Sequence, residues 1–339
     1  MAKATTRSKK REPSIRELLE GSPRQLRHIL RSQDFDRALI SELFMLGDLL
    51  ERRKDTEEVR TLMRGRTLHW YGDEASSRTA VSFIKAAQDL GGNYIARSIG
   101  ESSEGKKGES LEDTILTLST IGAEDIIALR HPDEDAIYRA ALVSKVPVIN
   151  AGSGGEQHPT QGLLDLRTAF SVRNSLDGLN IGFGGDLKNA RASNSFIYSL
   201  TKFRDITFYL VSRDGLRIKG ELRYYLERHK ESMNIRVIET SDLEWVIDQV
   251  DIFYQTRAQK ERAANASEHD SNPPFIIDRK MAARMKPGAR IMHPLPRNEE
   301  LAREIDHMPQ QLYVEQMRFG RIIRRALLAK ICHDNPPLR

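Results

Sequence analysis

DIIALRHP, residues 125–132, decides how the rest of the chain is read. Ile126, Ile127, Ala128 and Leu129 form an unbroken apolar run, without the alternation expected of a strand that keeps one face in water. Such a run marks a strand covered on both sides, as in a parallel sheet flanked by helices. The pattern recurs in VPVIN at 146–150, LNIGFGG at 179–185, ITFYLV at 206–211, VDIFYQTR at 250–257 and ARIMHPLP at 289–296. Between these runs lie amphipathic stretches such as LEDTILTLSTIGAED and LRIKGELRYYLERHKESM. The chain therefore reads as an α/β fold of repeated strand, helix and strand units. Ligands of open parallel sheets gather at the C-terminal strand ends. Arg130, which closes the opening run, and His131 and Pro132 after it are placed where chemistry is expected.

Composition narrows the function classes. A length of 339 residues suits two domains, each with its own core. No stretch of 18 apolar residues occurs, so no membrane partner is expected. Cys332 is the only cysteine, which excludes an internal disulfide framework and a Cys-rich zinc site and fits a reducing compartment. The net charge is +5, and the first 16 residues, MAKATTRSKKREPSIR, hold six Lys and Arg against Glu12 alone. Residues 1–25 read as a solvated, disordered extension, in preference to a transit peptide or a nucleic-acid arm. A nucleic-acid partner is not expected.

Polar groups follow the apolar runs in a consistent way. After the strand containing Leu68–Tyr71 comes EASSRT, Glu74 to Thr79, and then the apolar stretch VSFIKAAQDLGG of a helix. Ser76, Ser77, Arg78 and Thr79 bring hydroxyls, free N–H groups and a cation to a helix N-terminus, which makes an oxyanion site; Ser and Thr there are also ordinary caps. NAGSGGEQHPTQGLLDL, residues 150–166, places His158 and Gln161 in a Gly-rich turn before a helix. A histidine so placed either donates to a carbonyl oxygen or ties the loop to backbone.

Three Gly-rich stretches invite a nucleotide reading and fail on detail. GESSEGKK at 100–107 has Lys107 where a P-loop needs Ser or Thr, and Ser110, an N-cap with Asp113 at N3, starts the helix after the loop. GFGGDL at 182–187 has Leu187 in place of the third glycine of the dinucleotide fingerprint, and MKPGARI at 285–291 is a Pro-Gly turn before a buried strand.

EASSRT, SEGKKGE at 103–109, RHP at 130–132, QHPTQ at 157–161 with LLDL following, GDLK at 185–188 with Arg191, TRAQKER at 256–262 and HPLPR at 293–297 occur in one order. In that order and roughly that spacing they resemble the aspartate carbamoyltransferases, from about His28 to the C-terminal region. The resemblance implies transfer of the carbamoyl group of carbamoyl phosphate to the amino group of L-aspartate, giving N-carbamoyl-L-aspartate and phosphate in pyrimidine biosynthesis, with no metal, cofactor or covalent nucleophile. It implies that Ser76, Ser77, Arg78 and Thr79 hold the phosphate and that Thr79, Arg130 and His158 donate to the carbonyl oxygen. By the same resemblance, Gln161 and the backbone around Leu295 and Pro296 would orient the carbamoyl and amino groups. Arg191 and Arg257, with Gln259 beside them, would clamp the two carboxylates, and Glu74 and Arg262 would brace those arginines. Ser103 and Lys107 would enter the neighbouring subunit's site and meet the phosphate there, Lys107 reaching the aspartate carboxylates too.

Two domains are implied: a carbamoyl-phosphate domain over 26–159, completed by a C-terminal helix at about 319–336, and an aspartate domain over 160–318. The resembling enzymes are homotrimers with shared active sites, sometimes joined by regulatory chains, and a cytoplasmic location is expected for this chain. ERAANASEHDSNPPF at 261–275 reads as a closing loop. HPLP stands where the ornithine enzymes have HCLP, which disfavours ornithine. Gly72, Asp73, Asn189 and Ala192 depart from the family pattern, and Glu104 and Glu156 add acids beside anion-handling loops. These departures leave two alternatives: a carbamoyltransferase for another amino acid, and a non-catalytic scaffold.

Overall fold

The computed structural model describes residues 13–22, 24–72, 77–259 and 273–336, with Ser77 by its backbone only. The apolar runs become strands of two parallel sheets. The first contains β1 Thr67–Gly72, β2 Asn93–Arg97, β3 Ile126–His131 and β4 Val148–Ser153, in the order β2-β1-β3-β4. The second contains β5 Asn180–Gly184, β6 Thr207–Val211, β7 Arg236–Thr240, β8 Ile252–Gln255 and β9 Arg290–Met292, in the order β7-β6-β5-β8-β9. The helices that position the site are α1 Arg37–Arg52, α2 Ser77–Asp89, α3 Ser103–Lys107, α4 Leu111–Ile121, α5 Pro159–Arg173, α6 Arg191–Leu200, α7 Gly220–Lys230 and α8 Tyr313–Asp334.

The side-chain partition explains the unbroken runs. Ile126 and Ala128 of β3 enter the main core, while Ile127 and Leu129 point the other way into a cluster with Leu111 and Ile115 of α4. Both faces of β3 are therefore dry, and neither tolerates a polar residue. The same holds for β8, where Ile252 and Tyr254 join the main core and Phe253 packs with Val246 and Ile291. β2 and β7 carry no such run. Every residue of β2 is exposed and β7 is at most half-buried, so it is exposure that removes the sequence signal; β4 and β9 are edge strands too, but buried, and keep it.

Two predicted segments differ from their expected form. The 289–296 run stays a strand only to Met292, and HPLP lies beyond it as a turn. GESSEGKK is not all loop: Ser102 caps the short helix α3, and Gly108, at φ +71°, ends it. Ser110 still starts α4 by accepting from the Asp113 N–H at 3.1 Å, as its spacing predicts.

α8 comes last in the chain but packs on α1, α2 and α5. Its end is fastened to the beginning of the described chain. The buried Lys330 ammonium lies 2.6 Å from Asp334, whose other carboxylate oxygen accepts from the Leu26 N–H at 2.8 Å. Asn335 donates to the Leu26 carbonyl at 2.7 Å. Asp334→Ala is expected to leave a buried ammonium without its counter-charge and to destabilise the fold by about 3–5 kcal/mol. Urea denaturation at neutral pH checks this, and a loss below about 1 kcal/mol would mean that the pair behaves as a surface one.

Candidate active site

The strand order reverses between β1 and β3 in the first sheet and between β5 and β8 in the second. Each reversal opens a crevice at the C-terminal strand ends, and here the two crevices share one cavity of about 690 Å³. Arg78 and Thr79 reach it from α2 after β1, and Arg130 from the end of β3. His158 and Gln161 come from the start of α5, Arg191 from the start of α6, Arg257 and Gln259 from the segment after β8, and Leu295 and Pro296 from the turn after β9. Glu74, Ser76 and Arg262 lie outside the described residues, as does most of the expected closing loop. Ser77 is the first residue of α2. Ser103 and Lys107 are on α3 and are not among the residues lining this cavity.

The local geometry follows from the helix starts. His158 occupies the N-cap position of α5 with Pro159 at N1, so Gln161 lies in the first helical turn and not in the preceding Gly-rich turn. The His158 N–H donates to Ser195 Oγ at 2.7 Å, and the His158 ring Nε2 lies 3.5 Å from Thr79 Oγ1, which brings the imidazole and the hydroxyl to one wall. The Arg191 guanidinium is buried and donates to the Gly154 carbonyl at 2.8 Å. Gly152 makes room for it: at φ +119° it has a conformation that suits glycine, and a Cβ there would come within 2.8 Å of Arg191 Cζ. Asp186 joins the two halves of the second crevice by accepting from Asn189 N at 3.1 Å and from Gln259 N at 3.1 Å. Asn189 also donates through Nδ2 to the same carboxylate, so this departure from the family pattern has a structural use.

Gly72 has a comparable reason. It ends β1 beside Arg130, and a Cβ there would lie 2.8 Å from the Arg130 Cβ. Glu104 is not the stray acid that its place in the sequence suggests. It accepts from the Tyr71 hydroxyl at 2.7 Å and lies 3.2 Å from His131 Nε2, which pins α3 to the first sheet. Burial, followed by the charges of Glu221 and Glu134, raises the pKa of Glu156. Ala192 lines the cavity, and nothing in the structure explains its departure from the family pattern.

The electrostatics favour an anion. Burial first, and then the charge of Arg257, hold the Arg78 pKa below its ordinary value. A bound dianion would offset the repulsion between these guanidinium groups and replace the water that burial removes.

The motif reading did not single out four further residues. Asp165, fully buried on α5, accepts from Gln161 Nε2 at 2.9 Å, Gln316 Nε2 at 2.7 Å and the Tyr254 hydroxyl at 2.8 Å. Arg324 of α8 lines the cavity, donates to Ser82 Oγ at 2.6 Å and stacks 5.0 Å from the Phe83 ring centre. Burial lowers its pKa to about 9, against the attraction of Asp165. Gln316 and His293 link Asp165 to the turn after β9. The available signal was a charge inside an apolar run: Asp165 in LLDL, and Arg324 in RIIRRALLAK.

Comparison with known proteins agrees with this geometry. Residues 27–170 match the model of the carbamoyl-P binding domain of the aspartate/ornithine carbamoyltransferases, and residues 177–331 match that of their Asp/Orn binding domain. The aspartate carbamoyltransferase catalytic subunit of Clostridium kluyveri is 38% identical over 310 residues, covering 90% of this chain and 97% of that one. Aspartate carbamoyltransferase 2 of Pisum sativum, a chloroplastic protein, is 36% identical over 312 residues, covering 91% of this chain and 80% of that one. The aspartate transcarbamoylase of Trypanosoma cruzi in complex with N-(phosphonacetyl)-L-aspartic acid superposes with a TM-score of 0.85 at 35% identity, over 90% of this chain and 96% of that one. The chain belongs to the aspartate/ornithine carbamoyltransferase family.

Inorganic phosphate is expected to bind and to raise the melting temperature. Arg78→Ala should weaken that binding by roughly 10- to 100-fold, the range set by losing a hydrogen bond to a charged group. Titration calorimetry reads the difference, and equal affinities would remove Arg78 from the anion site.

Proposed function

We propose that the chain is an aspartate carbamoyltransferase, moving the carbamoyl group of carbamoyl phosphate to the amino group of L-aspartate to give N-carbamoyl-L-aspartate and phosphate. One observation carries the reading. A single cavity joins Arg78 and Arg130 at one sheet's switch point to Arg191 and Arg257 at the other's, with Thr79 and His158 on its wall. Its lining of paired guanidinium groups suits a phosphate beside Arg78 and Arg130 and a dicarboxylate beside Arg191 and Arg257. The related Trypanosoma cruzi enzyme holds a phosphonate and an aspartate in one molecule.

In this mechanism Ser76, Ser77, Arg78, Thr79 and Arg130 seat the phosphate, and Arg191 and Arg257 with Gln259 clamp the carboxylates of aspartate. Guanidinium forks bind carboxylates bidentately, which sets the angle of the amine. The neutral amine forms a bond to the carbamoyl carbon, the phosphate leaves with the electron pair of the C–O bond that breaks, and the proton lost by the attacking nitrogen passes to a phosphate oxygen. As the amine attacks, negative charge grows on the carbonyl oxygen, towards which Thr79, Arg130 and His158 donate. Each well-aimed donor of this kind is worth roughly 3–4 kcal/mol. Gln161 and the backbone at Leu295 and Pro296 fix the carbamoyl nitrogen, and correct alignment supplies about 7–11 kcal/mol of the barrier reduction. Glu74 and Arg262 brace the clamp.

The proposal extends to assembly. Residues 26–159 with the last helix form the carbamoyl-phosphate unit, and 160–318 the aspartate unit; the packing of α8 on α1 and α2 supports this division. Ser103 and Lys107 act in the site of a neighbouring subunit of a homotrimer, in keeping with their absence from the lining of their own cavity. We place the enzyme in the cytoplasm and in pyrimidine biosynthesis.

A steady-state assay of carbamoyl phosphate with a panel of amino acids tests the reading: turnover with aspartate and none with ornithine is expected, and turnover only with another amine would replace the acceptor. Chains carrying Lys107→Ala and chains carrying Arg78→Ala, each inactive alone, should recover measurable activity when mixed and reassembled, because some sites then combine two intact halves. Failure to recover would contradict the shared site.

A further inference from the structure

Asp165 has no exposed surface, yet three side chains from three elements point donors at it. An ionised carboxylate only accepts hydrogen bonds, so the amide nitrogen of Gln161 and that of Gln316 must both face it. That orientation leaves the Gln161 Oε1 for the cavity. The Oε1 of Gln316 accepts from the His293 N–H at 2.9 Å. The His293 ring then accepts at Nδ1 from the Leu295 N–H at 2.8 Å and donates from Nε2 to Glu300 at 2.9 Å. Burial lowers the His293 pKa, which keeps the ring in the neutral form that this pattern needs. One buried charge thus sets the direction of Gln161 and, through two further residues, the turn that carries Leu295 and Pro296.

We propose that Asp165 is a positioning residue for carbamoyl transfer, whose negative charge orients both acceptors offered to the carbamoyl nitrogen, Gln161 Oε1 and the backbone at Leu295 and Pro296. The proposal rests on the reading of the cavity given above. A protonated Asp165 donates from one oxygen and permits the Gln161 amide to turn. Its NH2 group then meets the NH2 of the carbamoyl group, donor against donor, and the substrate loses its alignment while its phosphate is still held.

The groups facing Asp165 are Gln161 on its own helix, Tyr254 of β8, and Gln316 and Arg324 of α8; Arg130 of β3 acts on Arg324 in turn. Burial pushes the Asp165 pKa up to about 7, against the three hydrogen bonds and Arg324, which lower it. Because the folded-state pKa is raised, the carboxylate takes up a proton as pH falls through about 7, and activity should fall with it.

The test compares kcat/KM for carbamoyl phosphate from pH 5.5 to about 9 with the dissociation constant of inorganic phosphate, in wild type, Asp165→Asn and Tyr254→Phe. Ionisation of the substrate itself is common to all three, so differences between the profiles report the protein. Asp165→Asn is expected to lower kcat/KM by roughly 10- to 100-fold at high pH, to lose the acid limb near neutrality and to bind phosphate as the wild type does. Tyr254→Phe removes one hydrogen bond from the carboxylate and should move the acid limb upward by roughly one pH unit. A parallel loss of phosphate binding in Asp165→Asn, or an acid limb unchanged by that substitution, would overturn the proposal in favour of a purely structural role. Should Asp165→Asn fail to fold, an unmoved limb in Tyr254→Phe overturns it equally. Absence of turnover in the wild type would remove the reading of the cavity on which the proposal depends.

Discussion

The buried carboxylate of Asp165 is the constraint on which the rest of the site depends. Taking a carboxylate out of water costs several kcal/mol, and the fold offsets part of that cost by delivering three donors and a nearby guanidinium to one point. The donors come from α5, β8 and α8, so their convergence fixes the helix that leads from the first sheet to the second, a central strand of the second sheet and the C-terminal helix in one arrangement. A structure that let any of them drift would strand a charge in the core. The cavity is built on this fixed frame, with Gln161 one turn before Asp165 and Arg324 on the same face of the packing.

Above that frame the cavity is cationic and, without a ligand, unfavourable. Arg78 is pushed down by burial and by Arg257, and Arg324 by its own burial. Preorganised charges of this kind lower stability in the empty state and become useful when an anion arrives, because no reorganisation is then required at the moment of reaction. In the proposed mechanism the two switch points have separate roles, one set of strand ends seating the phosphate and the other a pair of carboxylates. Asp186 and Gly152 maintain the second set, the former by tying Asn189 to Gln259 and the latter by leaving space for Arg191.

Much of this was legible in the sequence, for a physical reason. Strands with two dry faces need apolar residues at every position, and residues at their ends are free to be polar, so DIIALRHP shows both a strand and the place of Arg130. The edge strands NYIAR and RVIET face solvent and leave no comparable trace. The motifs located Arg78, Thr79, Arg130, His158, Gln161, Arg191, Arg257 and Gln259 because each stands in a recognisable local pattern. Asp165 and Arg324 were missed because their partners are distant in sequence: Gln316 is 151 residues from Asp165, and Ser82 is 242 residues from Arg324. Local spacing does not report such contacts; a charge in an apolar run only shows that a partner must exist. Glu104 shows the converse: its place in the sequence marks it only as an acid beside an anion-handling loop, and its partners Tyr71 and His131 become visible only in the fold.

The central claim is that one cavity accepts a phosphate and a dicarboxylate side by side. Titration calorimetry with N-(phosphonacetyl)-L-aspartic acid, which carries both groups, tests it most directly. The account predicts one molecule bound per chain, far more tightly than inorganic phosphate or succinate alone, and displaced competitively by phosphate. Binding no tighter than that of phosphate, or phosphate binding undisturbed when the compound is saturating, would contradict it.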